Sequence, residues 1–354
     1  MKTLLFIHSS PLNDAYGGGG SHVTEMSYNA LSKQYLMKNI FVRKKKNKLM
    51  TLFRNICLYS GGLSPFDVTK IIDYIKKCND IDIVFLNISL YGRLVRKIKL
   101  TFPKIKIIVF FENNEGKFYF DFVKLSGMIY LPIWVSANYN EKLSLKYSDL
   151  NIFLTEHDKL SFGVQKTPSV VIPVTFPDKY KQPSNKNIGN NDSYVLFVGS
   201  AFFANVEGIL FIIRKIAPYI SCNVLIVGKG IKKAISKEKI PNNVTIEDFV
   251  EDLSKIYNGA AAFIAPLFYG SGMKVKIAEA MMYGKKIIAT SLAFCGYKIN
   301  ERSCLICDTA DDFIREINNT EISRTFYEES REIYLNNYSS SRTDSYFSKI
   351  KDYL

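Results

Sequence analysis

Ten short apolar runs, rich in β-branched residues and nearly free of polar alternation, recur along this chain. No other feature of the sequence limits its possible folds so strongly. Five lie in the first half, at Leu4–His8, Ile81–Leu86, Ile105–Phe111, Leu150–Leu154 and Val170–Pro173. Five follow, at Tyr194–Gly199, Val224–Gly228, Val244–Ile246, Ala261–Pro266 and Lys286–Thr290. A strand with one wet face alternates apolar and polar residues; continuous runs belong to strands covered on both faces. Helical patterns separate the runs, which implies parallel sheets in an α/β fold. Lys181–Ser193, rich in Asn, Gly, Pro and Ser, has the composition of a linker. We therefore expect two doubly wound, Rossmann-like domains facing a central cleft. Their limits are read as 1–185 and 186–335, with 336–354 a C-terminal segment packing back on the first domain.

Composition narrows the class further. The 354 residues suffice for two domains at roughly 100–200 residues each. With 47% hydrophobic and 23% charged residues, the chain reads as globular. "MKTLLFIHSSP" is too briefly apolar for a signal peptide and reads as a first buried strand, and no run is long enough for a membrane span. A cytoplasmic setting is the resulting expectation. Three histidines, and six cysteines of which only Cys304 and Cys307 make a CxxC pair, argue against a metal centre. The Asn87-Ile88-Ser89, Asn191-Asp192-Ser193 and Asn243-Val244-Thr245 triplets match glycosylation sequons that a cytoplasmic chain would not use.

The net charge of +14 is unevenly spread. Residues 1–185 hold 26 Lys and Arg against 14 Asp and Glu, leaving the rest nearly balanced. Arg43–Lys48 ("RKKKNK"), with Arg93, Arg96, Lys97 and Lys99, concentrates the excess at residues 43–48 and 93–99. An anionic membrane surface is the partner such a face would suit, the enzyme then being peripheral on the inner face of the cytoplasmic membrane. No RNA- or DNA-binding motif is visible, so nucleic acid is not expected.

In doubly wound folds, ligands bind beyond the carboxyl ends of the strands. The loops there are unusual. Leu4–His8 leads into "AYGGGGSH" (Ala15–His22), Ile105–Phe111 into "FFENNEG" (Phe110–Gly116), and Tyr194–Gly199 into "VGSAFFANVEG" (Val198–Gly208). Ala261–Pro266 leads into "GSGMKVKIAEAMMYGKK" (Gly270–Lys286). Glycines before a helix free backbone amides for phosphate, and the helix dipole assists. Lys274 and Lys276 would add point charges, while Glu279 has the chemistry to accept both hydroxyls of a ribose. Phosphate beside ribose is a nucleotide. A P-loop is absent, and Gly228-Lys229-Gly230 lacks the third small residue of a dinucleotide fingerprint. Glu156-His157-Asp158 follows another run, but Thr155 before it makes a capped helix start the favoured reading.

Taken together, "VLFVGSAFFANVEGILFI" (Val195–Ile212), "VLIVGKG" (Val224–Gly230), "NVTIEDFVEDLSKIYNGAAAFIAPL" (Asn243–Leu267) and "GSGMKVKIAEAMMYGKKIIAT" (Gly270–Thr290) resemble the donor domain of the retaining family 4 glycosyltransferases of the glycosyltransferase-B fold. "YGGGGSH" resembles that family's glycine-rich loop after the first strand. The resemblance implies transfer of a hexose-type sugar from a nucleotide diphosphate, a UDP-sugar for preference, to a sugar hydroxyl of a glycan or lipid-pyrophosphate-linked acceptor, with retention of configuration, in surface polysaccharide biosynthesis. It implies no cofactor or metal, because protein cations and amides neutralise the departing phosphate. Ser271, Gly272, Met273 and Lys274 would hold the donor diphosphate, approached by Gly18, Gly19 and Gly20 from the other domain. Glu279 would hold the ribose, and Phe249, Val250 and Gly228 the base. Lys274, Lys276 and Glu112 are the implied catalytic residues, and Asn113, Glu115 and Asn205 candidate contacts to sugar or acceptor.

Three positions depart from the family pattern. Ser271 stands where the first glutamate of the family's pair is expected, eight residues before Glu279. The Arg and Lys common after the first donor-domain strand are absent, leaving Lys274 and Lys276 as substitute cations. Glu112 replaces the histidine usual after the corresponding acceptor-domain strand. A nucleotide-sugar epimerase of the same fold, using Glu112, Glu115 and His157, and a non-enzymatic nucleic-acid binder are the other classes compatible with the chain.

Overall fold

The computed structural model describes residues 1–12, 19–43, 47–182, 194–270, 272–321 and 325–354. They form two compact α/β units, Met1–Val174 with Thr343–Leu354, and Thr175–Arg342. The first boundary falls before Thr175 rather than after residue 185, because Phe176 makes a parallel bridge with Ser339 of the second unit. The second falls at Thr343 rather than at 336. From there Phe347 and Ile350 are buried in the first unit, Lys33 pairs with Asp344 at 2.8 Å, and Lys2 Nζ donates to the Leu354 carbonyl at 3.2 Å.

The first unit holds six parallel strands: β1 (Thr3–His8), β2 (Leu36–Phe41), β3 (Ile83–Leu86), β4 (Lys106–Phe111), β5 (Leu150–Phe153) and β6 (Ser169–Val171), in the order β2-β1-β3-β4-β5-β6. Every residue of β1, β3 and β5 is buried, as their unalternating sequences require. Phe6 stacks on Phe85 with centroids 5.4 Å apart, and Phe111 meets Phe153 at 5.0 Å. Each such side chain contributes about 1.5–3 kcal/mol by burial. Helices flank the sheet, one of them, Pro65–Lys77, started by a reciprocal Ser64–Asp67 capping box with Pro65 at its first position. The edge strand β2 does not announce itself in the sequence, because none of its residues is buried and its apolar positions do not form a run.

The second unit repeats the plan with β7 (Tyr194–Val198), β8 (Asn223–Val227), β9 (Val244–Glu247), β10 (Ala260–Ala265), β11 (Lys286–Ala289) and β12 (Cys304–Ile306), in the order β12-β11-β10-β7-β8-β9. All pairs are parallel. β12, three residues on the far edge, also goes unsignalled by hydrophobic pattern. In each sheet the chain starts centrally, builds one side, then returns to build the other. The strand order therefore reverses between β1 and β3 and between β7 and β10, the points at which doubly wound sheets open a crevice for ligands.

Cys222, Cys304 and Cys307 are buried free thiols, and no cluster among the described residues has three or more groups able to hold a metal. Asn87, in the first sequon, is a buried side chain, and the Asn243 amide donates to the carbonyls of Ala217, Ile220 and Cys222. Among the described residues no helix is long and apolar enough to cross a membrane.

Candidate functional site

The reversal point of the second sheet is where most of the expected residues converge. After β10 the chain runs through a loop whose Gly270 and Gly272 both take positive φ, +101° and +68°, conformations closed to most side-chain-bearing residues. Lys274 then caps the helix Val275–Met282 with extended backbone, its carbonyl accepting from the Ile277 amide at 2.8 Å and from the Tyr297 hydroxyl at 3.0 Å. The Lys274 ammonium bonds the Gly272 carbonyl at 3.0 Å and so lies over the loop rather than out in solvent. Met273, the residue before it, is buried.

Lys276, two residues further, reaches across to the end of β7. Its ammonium donates to Asn205 Oδ1 at 2.6 Å and lies 4.4 Å from the centroid of the Phe197 ring. Asn205 stands in the first turn of the helix Phe203–Phe211, not in a loop before it, and its amide nitrogen donates to the Ser200 carbonyl at 2.9 Å. That second bond orients the amide so that oxygen faces Lys276. Burial pushes the Lys276 ammonium down to about 7, opposed by the Glu279 charge and reinforced by Lys274.

Glycines make this approach possible. A Cβ at Gly199 would stand 2.7 Å from Lys276 Nζ and 2.9 Å from the Asn205 side chain. At Gly228 it would meet the Gly199 carbonyl oxygen at 2.0 Å, so the β7 and β8 loops touch backbone to backbone. Gly208 lies against the Pro266 carbonyl in the same way, at 2.5 Å.

Glu279 is half-buried, one turn beyond Lys276. Burial raises its carboxyl, while the charges of Lys179 and Lys276 and a 3.4 Å bond from the Tyr257 hydroxyl hold it down. Tyr257 is itself fixed by stacking on Tyr283, centroids 4.7 Å apart and rings nearly parallel. Phe249 and Val250 follow β9, the phenyl ring 74% exposed with no packing duty of its own. Cations, freed amides, a carboxylate and an open aromatic thus surround one end of one sheet. Ser271 and Gly18 lie outside the described residues.

The first unit's residues form a separate constellation at its own reversal point. Asn87, directly after β3, donates from Nδ2 to Glu112 Oε1 at 2.5 Å and to Thr24 Oγ1 at 3.0 Å. Thr24 donates back to the Gly20 carbonyl at 2.8 Å, and a Cβ at Gly20 would stand 3.2 Å from Glu112 Oε2. Gly19 and Gly20 thus open the helix Gly19–Ser32, with the Glu112 carboxylate against its positive end. Asn113 Nδ2 and Glu115 Oε1 are 3.4 Å apart. Glu115 begins the helix Glu115–Ser126, whose first amides, of Glu115 and Gly116, are capped by the buried Glu141 carboxylate at 2.9 and 2.8 Å. Burial, then the Glu115 charge, pushes the Glu141 carboxyl up to about 8. Thr155 caps its helix by accepting from the Asp158 amide at 2.8 Å, while His157 stays exposed.

Sequence reasoning missed Asn87, Glu141, Tyr257 and Gly199. Asn87 and Gly199 each directly follow a buried strand, the one positional signal that could have found them. Glu141 and Tyr257 lie within helices and gave none.

Comparison with known proteins agrees with the fold. Residues 192–320 match the family model described as glycosyl transferases group 1. An uncharacterized 44.6 kDa protein in the cps region of Klebsiella pneumoniae is 26% identical over 304 residues, 78% of this chain and 74% of that protein. HepE from Anabaena superposes over the full length of both chains, with TM-scores of 0.69 for its UDP complex and 0.67 for its UDP-glucose complex, each at 13% identity. WaaB, a lipopolysaccharide outer core galactosyltransferase, superposes with a TM-score of 0.63 at 13% identity, covering 99% of this chain and all of WaaB. The fold is the glycosyltransferase-B fold of these proteins, and the second unit carries a group 1 glycosyl transferase domain.

Proposed function

We propose that this chain is a retaining glycosyltransferase of family 4 that moves a hexose-type sugar from a UDP-sugar to a sugar hydroxyl of a glycan or lipid-linked oligosaccharide in surface polysaccharide synthesis. One observation carries the reading: Lys276, bonded to Asn205, and Lys274, over Gly272, bring two cations to the reversal point of the second sheet, one helical turn from Glu279. A diphosphate needs the cations and a ribose the carboxylate. The UDP and UDP-glucose held by HepE, the galactosyltransferase WaaB and the cps-region relative support the choice of donor and of process.

In this reading the acceptor hydroxyl attacks the anomeric carbon from the face the diphosphate leaves. The sugar–oxygen bond to phosphate breaks as the new glycosidic bond forms, and the departing phosphate oxygen takes the hydroxyl proton. Lys274, Lys276 and the amides at the helix start neutralise the charge that grows on the diphosphate. That work needs no cofactor or metal. Glu279 holds the ribose, and the backbone at Phe249 and Val250 meets the base. Glu112, with Asn113 and Glu115, binds sugar hydroxyls.

The test is a thermal-shift panel of UDP, GDP and ADP with their sugars, followed by NMR of the product's anomeric proton. A shift with UDP-sugars and a retained configuration is expected. No shift with any nucleotide sugar sinks the reading, as does epimerisation of the donor without acceptor. Lys274→Ala is expected to lower kcat more than it raises KM.

A further inference from the structure

The helix Lys48–Ile56 is built inside out. Leu49, Leu52, Phe53 and Ile56, spaced to share one face, are 80%, 38%, 64% and 60% exposed, and Met50 beside them is 47% exposed. Arg54 and Asn55 on the opposite side are buried instead, Arg54 donating to the Gly62 carbonyl at 3.1 Å and Asn55 to the Thr51 carbonyl at 2.9 Å. A helix on an aqueous surface turns its apolar stripe inward. Here the polar side holds the helix to the protein, and the apolar side is offered outward. The chain leaves it through Leu58, the one non-glycine described residue with positive φ, at +59°.

Positive charge surrounds this face. Arg93 donates to the carbonyl of Cys57, the residue that ends the helix, at 2.8 Å, and its guanidinium lies 4.4 Å from the centroid of the Tyr59 ring. Arg96 and Lys97 are exposed on the next turn of the same helix as Arg93, and with Tyr59 and Leu100 they line a groove of about 430 Å³. Lys99 is left out, being paired with Asp149 at 2.7 Å. In sequence, the helix is preceded directly by the basic tract from Arg43. The helix Leu131–Tyr147, against which it packs, is entered through Met128 and Ile129, 70% and 73% exposed. An apolar face with cations at its border is complementary to one surface above others, the headgroup–acyl boundary of an anionic bilayer.

We infer that the helix Lys48–Ile56 inserts its Leu49–Leu52–Phe53–Ile56 face into an anionic membrane, with Arg93, Arg96 and Lys97 meeting lipid phosphates beside it. The inference rests on this helix and its neighbours, independently of the reaction proposed above, and its test needs no nucleotide sugar.

The full chain is sedimented with vesicles of phosphatidylglycerol and phosphatidylcholine, and with phosphatidylcholine alone. Wild type is expected in the pellet with the anionic vesicles only. Leu49→Ser/Phe53→Ser/Ile56→Ser is expected to lower partition about tenfold or more, and Arg93→Gln/Arg96→Gln/Lys97→Gln to lower it in a salt-dependent way. Wild type remaining in solution with anionic vesicles at low salt would overturn the proposal. So would a triple-serine variant that binds as wild type does, which would mean adhesion by charge alone. A dimer without lipid that the serine variant breaks would assign the face to a second copy and overturn it equally. Phe53→Trp gives an independent reading should the serine variant not fold: its emission is expected to shift to the blue with anionic vesicles, over the background of Trp134. An unchanged spectrum counts against insertion.

Discussion

Lys276 Nζ lies 2.6 Å from Asn205 Oδ1, and this bond ties the helix after β10 to the helix after β7 at the point where the strand order reverses. A half-buried ammonium with a neutral partner is short of negative charge. Burial has already brought its pKa to about 7, against the usual 10.5. A bound diphosphate supplies the missing charge and favours the protonated form. Affinity for UDP-glucose, whose diphosphate does not titrate in this range, is therefore expected to fall as pH rises from about 7 to 9, by up to tenfold per unit. Lys276→Met should bind weakly and lose that slope. Calorimetry in buffers of different ionisation enthalpy checks it: proton uptake on binding above pH 7 is the expected result, and a pH-independent affinity in wild type would count against Lys276 as a phosphate contact.

Gly199 and Gly228 separate site from scaffold. A Cβ at Gly199 meets the tip of a flexible lysine and the Asn205 amide, which can yield, whereas one at Gly228 meets the backbone oxygen of Gly199 at 2.0 Å, which cannot. Gly199→Ala is expected to cost roughly 1 kcal/mol or less of stability while displacing Lys276, with donor affinity down about tenfold. Gly228→Ala should cost several times more stability, on the order of 3 kcal/mol. Urea unfolding set beside UDP titration reads both; equal stability losses would show that Lys276 and Asn205 cannot move aside.

How far could the sequence be read? Ten of the twelve strands, the eight interior ones and the edges β6 and β9, were legible as apolar runs, because a doubly covered strand has no polar alternation. The edge strands β2 and β12 were not, since an edge has no need of a continuous apolar run. Glycine pairs and lysines at strand ends singled out the loop after β10, where Gly270 and Gly272 take positive φ and Lys274 starts the helix. Asn87 and Tyr257 stayed hidden for a different reason: their roles come from partners 25 and 22 residues away, Glu112 and Glu279, and side-chain pairing at that range leaves no local pattern. The inverted helix Lys48–Ile56 was invisible too, because its residues spell an ordinary amphipathic helix and only burial tells which side is out.

Asn87 holds one Glu112 carboxylate oxygen at 2.5 Å and is anchored to Thr24 at 3.0 Å, so in the proposed reaction it would position that carboxylate. Glu112→Ala is expected to lower turnover about 10- to 100-fold with UDP affinity unchanged. Asn87→Ala should lower it less, raising KM for acceptor more than it reduces kcat. Asn87→Asp should be worse than alanine, because it sets a second negative charge against the first. Steady-state kinetics over acceptor concentration decide this, and full turnover in Glu112→Ala would remove Glu112 from the site.

Lys285 is 1% exposed, and its ammonium donates to the carbonyls of Asn258, Ala260 and Thr325. Burial pushes its pKa down to about 7, while the unfolded chain keeps the usual value near 10.5. Between those values the unfolded state binds a proton that the folded state does not. Stability therefore rises with pH across that window, by up to about 1.4 kcal/mol per unit, and the penalty of the buried charge is fully present only below about pH 7. Lys285→Met removes both the penalty and the donor to three carbonyls. Wild type should thus gain on the variant steadily from about pH 7 to 9, whatever their order at neutrality. Urea unfolding of the pair at these two values isolates the residue, since every other titrating group cancels in the difference. A constant difference would mean that Lys285 stays charged in the folded protein, its three carbonyls replacing the water it has lost.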